Sequence, residues 1–118
     1  MQYFENVQTA ILTILEMYGL GYDYSVYKKL FQKEMSFQNV SFTPSVSIPV
    51  KYSGKLLRHF ELKIPNVSNK ILCGITAGEA DLKAHIAAMK NYLKNTKIPI
   101  GIIANFGKDE LVIKGVHP

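Results

Sequence analysis

The sequence has few of the features that mark a disulfide-stapled, zinc-binding or membrane protein. It contains one cysteine, Cys73, which excludes a disulfide within the chain and any zinc site built from several cysteines. No apolar run approaches the roughly 20 residues that a membrane-spanning helix needs. Residues 1–18 carry Glu5 and Glu16 and lack the basic start and cleavage site of a signal peptide. We therefore expect a cytoplasmic protein with no membrane partner.

Arginine and acidic residues are also scarce. Arg58 is the one arginine among 14 basic residues, which face 9 acidic residues and give a formal net charge of +5. Between residues 38 and 60 there is no Asp or Glu. Specific base recognition favours the bidentate arginine side chain, so a surface dominated by lysine indicates contact with the backbone of any nucleic acid it binds. The charge permits nucleic-acid binding without demonstrating it.

What is present is the composition of a globular domain. Hydrophobic residues make up 47% of the chain and the mean hydropathy is +0.04. A chain of this length buries about two thirds of its unfolded surface in one core. There is no internal repeat, low-complexity tract or linker, so residues 1–118 are predicted to form a single domain.

A strand, a helix and a second strand form the centre of the predicted fold. Residues 70–77 are a short apolar run, residues 79–95 have helical spacing, and residues 98–105 are again apolar and β-branched. This order predicts a right-handed crossover that joins two parallel strands of one sheet. Cys73 lies in the middle of the first strand, which favours a buried, inert thiol.

The rest of the chain adds two helices before this unit and three strands around it. The spacing predicts helices over 4–18 and 24–36, with Asp23 as the N-cap of the second. Alternating apolar residues at 40–50 and 56–64 predict an antiparallel hairpin, and 111–116 is a final strand. The order is helix, helix, three strands, helix, two strands: a mixed α/β (α+β) fold with a sheet of about five strands flanked by helices.

Lysines recur on one side of the predicted third helix. Lys83, Lys90 and Lys94 point in similar directions at 3.6 residues per turn. They form either a solvated face or a surface that tracks phosphates, which Lys63 would join if the fold brings it close. The sequence leaves both interpretations open.

Four stretches together resemble a known family. They are Gly21-Tyr22-Asp23-Tyr24-Ser25-Val26-Tyr27, the Ile-Pro-Val-Lys-Tyr-Ser-Gly of 48–54, the helix from His85 to Leu93, and the Gly-Ile-Ile-Ala-Asn-Phe-Gly of 101–107. In this order they resemble the GxxExxY protein family, a group within the PD-(D/E)xK nuclease-like superfamily. The resemblance runs from about residue 11 to residue 116 and implies a restriction-endonuclease-like core.

The resemblance also implies where a metal site would lie. In active members, an aspartate on one strand and a Glu-x-Lys on the next hold a divalent metal ion. The aspartate position falls on Glu61, with a few extra residues in the loop before Lys70, and the Glu-x-Lys positions fall on Gly74 and Thr76. Gly74 has no ligand and Thr76 is not a cation, so Glu61 would be a remnant acid, and we expect no metal and no cofactor.

Other positions of the family pattern are kept in part. Gly21 and Tyr27 match the GxxExxY motif, whereas Tyr24 stands at its glutamate. The family histidine on the following helix is retained as His85, and the glutamine after it falls on Ala88. A tyrosine ring at position 24 would fill part of the cleft that holds the active site in the nuclease family.

Two functional hypotheses follow. The first is a catalytically inactive nuclease-fold protein that serves as a binding or interaction module, with DNA or RNA, a protein, or a second copy of the chain as partner. The second is a divergent metal-dependent nuclease that uses Glu61 with displaced carboxylates such as Glu79 or Asp81, and Mg²⁺ as cofactor. The enzyme requires two or more carboxylates within about 5 Å of a common point.

Overall fold

The computed structural model describes residues 2–118 and contains three helices and seven strands among them. The predicted order is confirmed, with two short strands added. No helix within residues 2–118 has the length and apolarity needed to span a bilayer. The elements are α1 (Gln2–Tyr18), α2 (Tyr24–Phe37), β1 (Phe42–Thr43), β2 (Val46–Tyr52), β3 (Lys55–Leu62), β4 (Asn66–Val67), β5 (Ile71–Ala77), α3 (Leu82–Thr96), β6 (Ile100–Phe106) and β7 (Leu111–Val116).

Five strands form one mixed sheet in the order β1-β4-β5-β6-β7. β5 and β6 are parallel, with Ile71 opposite Ile100 and Ala77 opposite Phe106, and α3 is the connection between them. β7 is antiparallel to β6, and β4 is antiparallel to β5. The predicted fold class and the parallel strand pair are therefore confirmed.

The membership of the sheet differs from the prediction in one respect. β2 and β3 form a separate two-stranded antiparallel sheet, and the short strands β1 and β4 take their place beside β5. The hairpin turns through Ser53 and Gly54 at φ +50° and +78°, as a two-residue turn with two left-handed residues requires. The chain leaves the main sheet at Pro44, because proline cannot donate a backbone hydrogen bond to a strand ladder.

A tight turn joins β4 to β5, in a stretch predicted as a loop. Ser68 and Asn69 both have positive φ, at +53° and +56°, and the Lys70 amide donates to the Val67 carbonyl at 2.9 Å. The Asn66 side chain accepts a hydrogen bond from the Asn69 amide at 3.1 Å, which holds the turn. Asparagine tolerates this left-handed backbone better than most residues.

The ladder between β4 and β5 continues beyond β4. Asn66 lies opposite Leu72, and the Cys73 amide donates to the Pro65 carbonyl at 2.9 Å. Continuing this antiparallel register by one step places Ile64 beside Gly74.

The sheet buries a different core on each face. One face packs on α1 and α2, and the other face packs on α3 through Met89 and Leu93. A Cβ built on Gly101 would lie 2.6 Å from Met89 Cγ, so glycine allows α3 to approach the sheet closely. Cys73 is 1% exposed, which confirms its predicted burial, and burial raises the pKa of its thiol. The first core contains Val7, Ile11, Ile14, Tyr27, Phe31, Met35, Ile71, Cys73, Ile102, Ala104 and Phe106.

Tyr27 and Phe106 join α2 to the centre of the sheet. Their rings are stacked with centroids 4.1 Å apart and planes 4° apart, and both side chains are buried. The Tyr27 hydroxyl donates to the Gly19 carbonyl at 2.7 Å and accepts from the Tyr22 amide at 3.3 Å. Gly21, at φ +113°, lies in the turn that this hydroxyl holds. The tyrosine of the motif therefore anchors the α1–α2 connection.

The second helix begins as predicted. The Asp23 carboxylate accepts from the Val26 amide at 3.3 Å, which confirms it as the N-cap. The Ser25 hydroxyl also donates to Asp23 Oδ1, at 2.6 Å, and this bond is the main cause that lowers the pKa of Asp23.

Candidate functional site

A cleft of about 480 Å³ opens along the edge of β5 from Gly74 to Ala77. β4 ends before this point, so the second half of β5 has no strand on that side. α2 contributes one wall and α3 the other, while the chain between β3 and β4 crosses the end. The lining residues are Tyr24, Lys28, Lys63, Ile64, Pro65, Cys73, Gly74, Ile75, Thr76, Ala77, Glu79, Ala80, Asp81 and His85.

The floor of the cleft carries no charge. Gly74 has room for a Cβ atom, which would meet Met89 Cε at 3.4 Å and Ile103 Cγ1 at 3.5 Å, both ordinary contacts. The Thr76 hydroxyl donates to Asn105 Oδ1 at 2.8 Å. The Asn105 amide in turn donates to the Gly78 carbonyl at 3.2 Å. The Thr76 hydroxyl proton is therefore already used to hold the end of β5 to β6.

The wall formed by α2 is cationic. Tyr24 is the first residue of α2, and Lys28 lies one turn later. Lys28 Nζ donates to the Lys63 carbonyl at 2.5 Å, which ties α2 to the segment after β3. Burial, and secondarily the nearby charge of Lys63, lowers the pKa of Lys28. The two lysines thus line the cleft together beside an uncharged floor.

The wall formed by α3 carries the acidic residues. Asp81 is the N-cap of α3, and its Oδ1 accepts from the Ala84 amide at 3.1 Å. Glu79 lies just before the helix, and His85 follows one turn after Asp81. A carboxylate at this position stabilises the positive end of the helix dipole, which accounts for Asp81 without a metal ion.

Glu61 does not reach the cleft. It lies in the hairpin opposite Ser47 and is exposed, and it is absent from the residues that line the cavity. The assignment of Glu61 to the family aspartate needed extra residues in the loop before Lys70. In the structure, this stretch contains β4 and the tight turn at Ser68 and Asn69, and Glu61 lies before it in β3.

The predicted site residues divide into two groups. Tyr24, Lys63, Gly74, Thr76 and His85 line the one cleft. The other group lies outside it: Gly21 and the buried Tyr27 belong to the α1–α2 connection, and Lys83, Lys90 and Lys94 are exposed on α3.

Lys28 faces the cleft although the sequence did not single it out. Its signal was its place one helical turn after Tyr24, at the family motif.

The donor set at the β5 edge does not fit a magnesium ion. Mg²⁺ is held by carboxylates, whereas Ile64, Gly74 and Thr76 offer an aliphatic chain, no side chain and a hydroxyl that is already bonded. Across residues 2–118 there is no cluster of three or more His, Cys, Asp or Glu side chains that could hold a metal ion.

Comparisons with known proteins agree with this architecture. A family model described as PD-(D/E)XK nuclease superfamily matches residues 1–116. The solved structure titled "Crystal structure of SSO0001" superposes with a TM-score of 0.63 at 15% identity, over 79% of this chain and 49% of that one. This chain thus spans about half the length of that neighbour, and the likeness shows the fold alone. No curated protein matches the chain.

Proposed function

This chain belongs to the PD-(D/E)XK nuclease superfamily, and on that premise we propose that it is a catalytically inactive, GxxExxY-like member that binds the phosphate backbone of nucleic acid in its cleft. The role of the cleft would be to hold a strand without cutting it. The observation that carries this proposal is that Lys28 and Lys63 line the cleft beside an edge of β5, from Gly74 to Ala77, that has no charged side chain.

The ladder register supports the loss of the metal site. The β4–β5 register, continued one step past the Cys73–Pro65 hydrogen bond, puts Ile64 beside Gly74, and both residues line the cleft. In active members these two places would carry the aspartate and the glutamate. Thr76 would occupy the position of the lysine in the Glu-x-Lys of active members. With an isoleucine and a glycine at the ligand positions, a metal ion has no carboxylate to bind at the strand edge.

Lys28 and Lys63 support the binding role. Both line the cleft, where burial and secondarily the charge of Lys63 lower the pKa of Lys28. A phosphate bound in the cleft would offer both ammonium groups a counter-charge. Lysine serves as a point charge towards phosphate, which suits backbone contact without base recognition.

The alternative, a nuclease built on Glu61 with displaced carboxylates, has one observation in its favour. Glu79 and Asp81 do line the cleft together with His85. Glu61 does not accompany them, and Asp81 is engaged as a helix cap. The geometry therefore favours the binding module.

Fluorescence anisotropy with labelled single-stranded and double-stranded DNA and RNA, in Mg²⁺ and over a series of salt concentrations, tests the proposal. We expect salt-dependent binding, and intact nucleic acid when the same samples are run on a denaturing gel. Lys28→Gln and Lys63→Gln should each reduce the slope of log K against log salt by about one.

Lys33→Gln is the matched control, because Lys33 is exposed on the same helix and does not line the cleft. It should leave the slope nearly unchanged. Cleaved nucleic acid that depends on Glu79 or Asp81 would establish the enzyme. Equal effects of the three lysine variants would place binding outside the cleft.

A further inference from the structure

The hairpin formed by β2 and β3 is unusually exposed for an apolar segment. Tyr52 is 72% exposed, Leu57 is 65% exposed and Phe60 is 47% exposed. Every residue of β3 except Leu62 is exposed, although four of its eight residues are Leu or Phe. Several large apolar side chains exposed on one hairpin indicate a contact surface.

A groove of about 360 Å³ lies between this hairpin and α3. Phe60 and Lys51 line it from the hairpin, and Asn91, Tyr92 and Asn95 line it from α3. The Asn95 side-chain amide donates to the Asn91 carbonyl at 2.9 Å, which leaves its oxygen as an acceptor. The groove thus combines aromatic rings, amide groups and one ammonium group.

The charge of the hairpin selects the kind of partner. Lys51, Lys55 and Arg58 lie on it with a single carboxylate, Glu61. A second copy of the chain would bring the same excess of positive charge to the contact, which costs free energy. A polyanion with flat apolar groups satisfies both the charge and the exposed rings.

We propose that the hairpin and the adjoining face of α3 bind single-stranded nucleic acid, with an unpaired base against Phe60 and the backbone beside Lys51. This inference rests on the function proposed for the cleft and extends it to a second surface. Stacking on aromatic side chains and tracking of the backbone by cations is the usual chemistry of single-strand binding. A duplex would keep its bases inside the stack and leave Phe60 without a partner.

The two surfaces are placed so that one strand can meet both. On α3, His85 of the cleft and Tyr92 of the groove are seven residues apart, or about 10 Å along the helix axis. On the hairpin side, Lys63 follows Phe60 by three residues, again about 10 Å in extended chain. A short single strand spans such a distance.

Phe60→Leu in the full chain removes the aromatic ring while it keeps an apolar side chain. We expect it to weaken binding of a labelled oligothymidylate of about 20 nucleotides by roughly 5- to 100-fold. Phe37→Leu is the matched control, because Phe37 is 83% exposed at the end of α2 and lines neither surface. It should have no effect. Size-exclusion chromatography with light scattering on each variant reports whether the hairpin is instead a self-association surface.

Photocrosslinking of the unmodified protein supplies a second measurement that does not depend on a variant. An oligothymidylate that carries halogenated uridine should crosslink to Tyr52, Phe60 or Tyr92, as located by mass spectrometry. Crosslinks at Tyr24 alone, or affinity lost with Lys28→Gln but kept with Phe60→Leu, would overturn this inference and leave the cleft proposal standing. A dimer that Phe60→Leu dissociates would also overturn it. If Lys28→Gln and Phe60→Leu both bind the oligothymidylate as tightly as the unmodified protein, both proposals are overturned.

Discussion

Two regions of this structure differ in the contacts that their side chains make: the junction around Tyr27 and Phe106, and the edge of β5 at the cleft. Around Tyr27, Asn105 and Phe106, each side chain makes a specific contact that joins one element to another. At the edge of β5, Ile64 and Gly74 make no polar contact of the kind a metal site needs. In this chain, the contacts that join the elements of the fold are therefore separate from the edge of β5 that lines the cleft.

The stacked pair should give the largest effect. Phe106→Ala removes a buried ring and its partner for Tyr27, so we expect the free energy of unfolding to fall by about 3–5 kcal/mol. Chemical denaturation measures the change. Phe37→Ala, at an exposed phenylalanine, should change it by less than about 0.5 kcal/mol. Similar losses in the two variants would show that the stack is not a principal support of the fold.

The side chain of Asn105, on β6, bonds to Thr76 at the edge of β5 and so links the two regions. Asn105→Ala leaves the Thr76 hydroxyl and the Gly78 carbonyl without their partner, and we expect a cost of about 1–3 kcal/mol. Thr76→Val removes the other end of the same bond. A double-mutant cycle should give a coupling free energy of about 1 kcal/mol, and additive losses would indicate that the bond contributes little.

Introducing metal-binding side chains at the edge of β5 tests whether the cleft can be made to bind Mg²⁺. Ile64→Asp with Gly74→Glu and Thr76→Lys should create a Mg²⁺ site, because it introduces two carboxylates at positions that both line the cleft. At about ten times the dissociation constant, Mg²⁺ should stabilise this variant by about 1.4 kcal/mol. The matched variant with Glu61→Asp in place of Ile64→Asp should show no Mg²⁺ effect. If only the variant with Glu61→Asp is stabilised by Mg²⁺, Glu61 rather than Ile64 occupies the aspartate position of the family.

The smallest expected effect is a pH dependence at Lys28. Its pKa lies below the ordinary 10.5, so the unfolded chain binds more protons between the two values and the free energy of unfolding rises with pH there. Affinity for nucleic acid should fall over the same range, since the cation is lost. Anisotropy titrations across alkaline pH measure this, and Lys28→Gln should remove the first part of the fall. An identical pH profile in that variant would assign the change to other lysines.

The centre of the fold was predictable because its signals are local. The apolar run that became β5, the helical spacing of α3 and the second apolar run that became β6 each show one clear period. The cap at Asp23 follows from residue type alone. These elements were predicted with small errors at their ends.

The site was less predictable because it depends on a register. The residue types of 65–69 indicate a loop or turn, but they do not show that Ser68 and Asn69 close a two-residue turn between paired strands. One added or removed residue in such a turn moves every side chain of the strand to the other face. Continuing the register that this turn sets puts Ile64 rather than Glu61 beside Gly74, and no motif in the sequence indicates that pairing.

The independence of the β2–β3 hairpin has a consequence for motion. Its amides are bonded within a two-stranded unit that does not join the main sheet, and Ile48 is its one buried side chain. Such a unit can open while the five-stranded sheet stays closed, so its amide protons should exchange with solvent sooner than those of β5 and β6. A ribbon that opens locally can adjust its shape to an irregular partner without loosening the core beneath it.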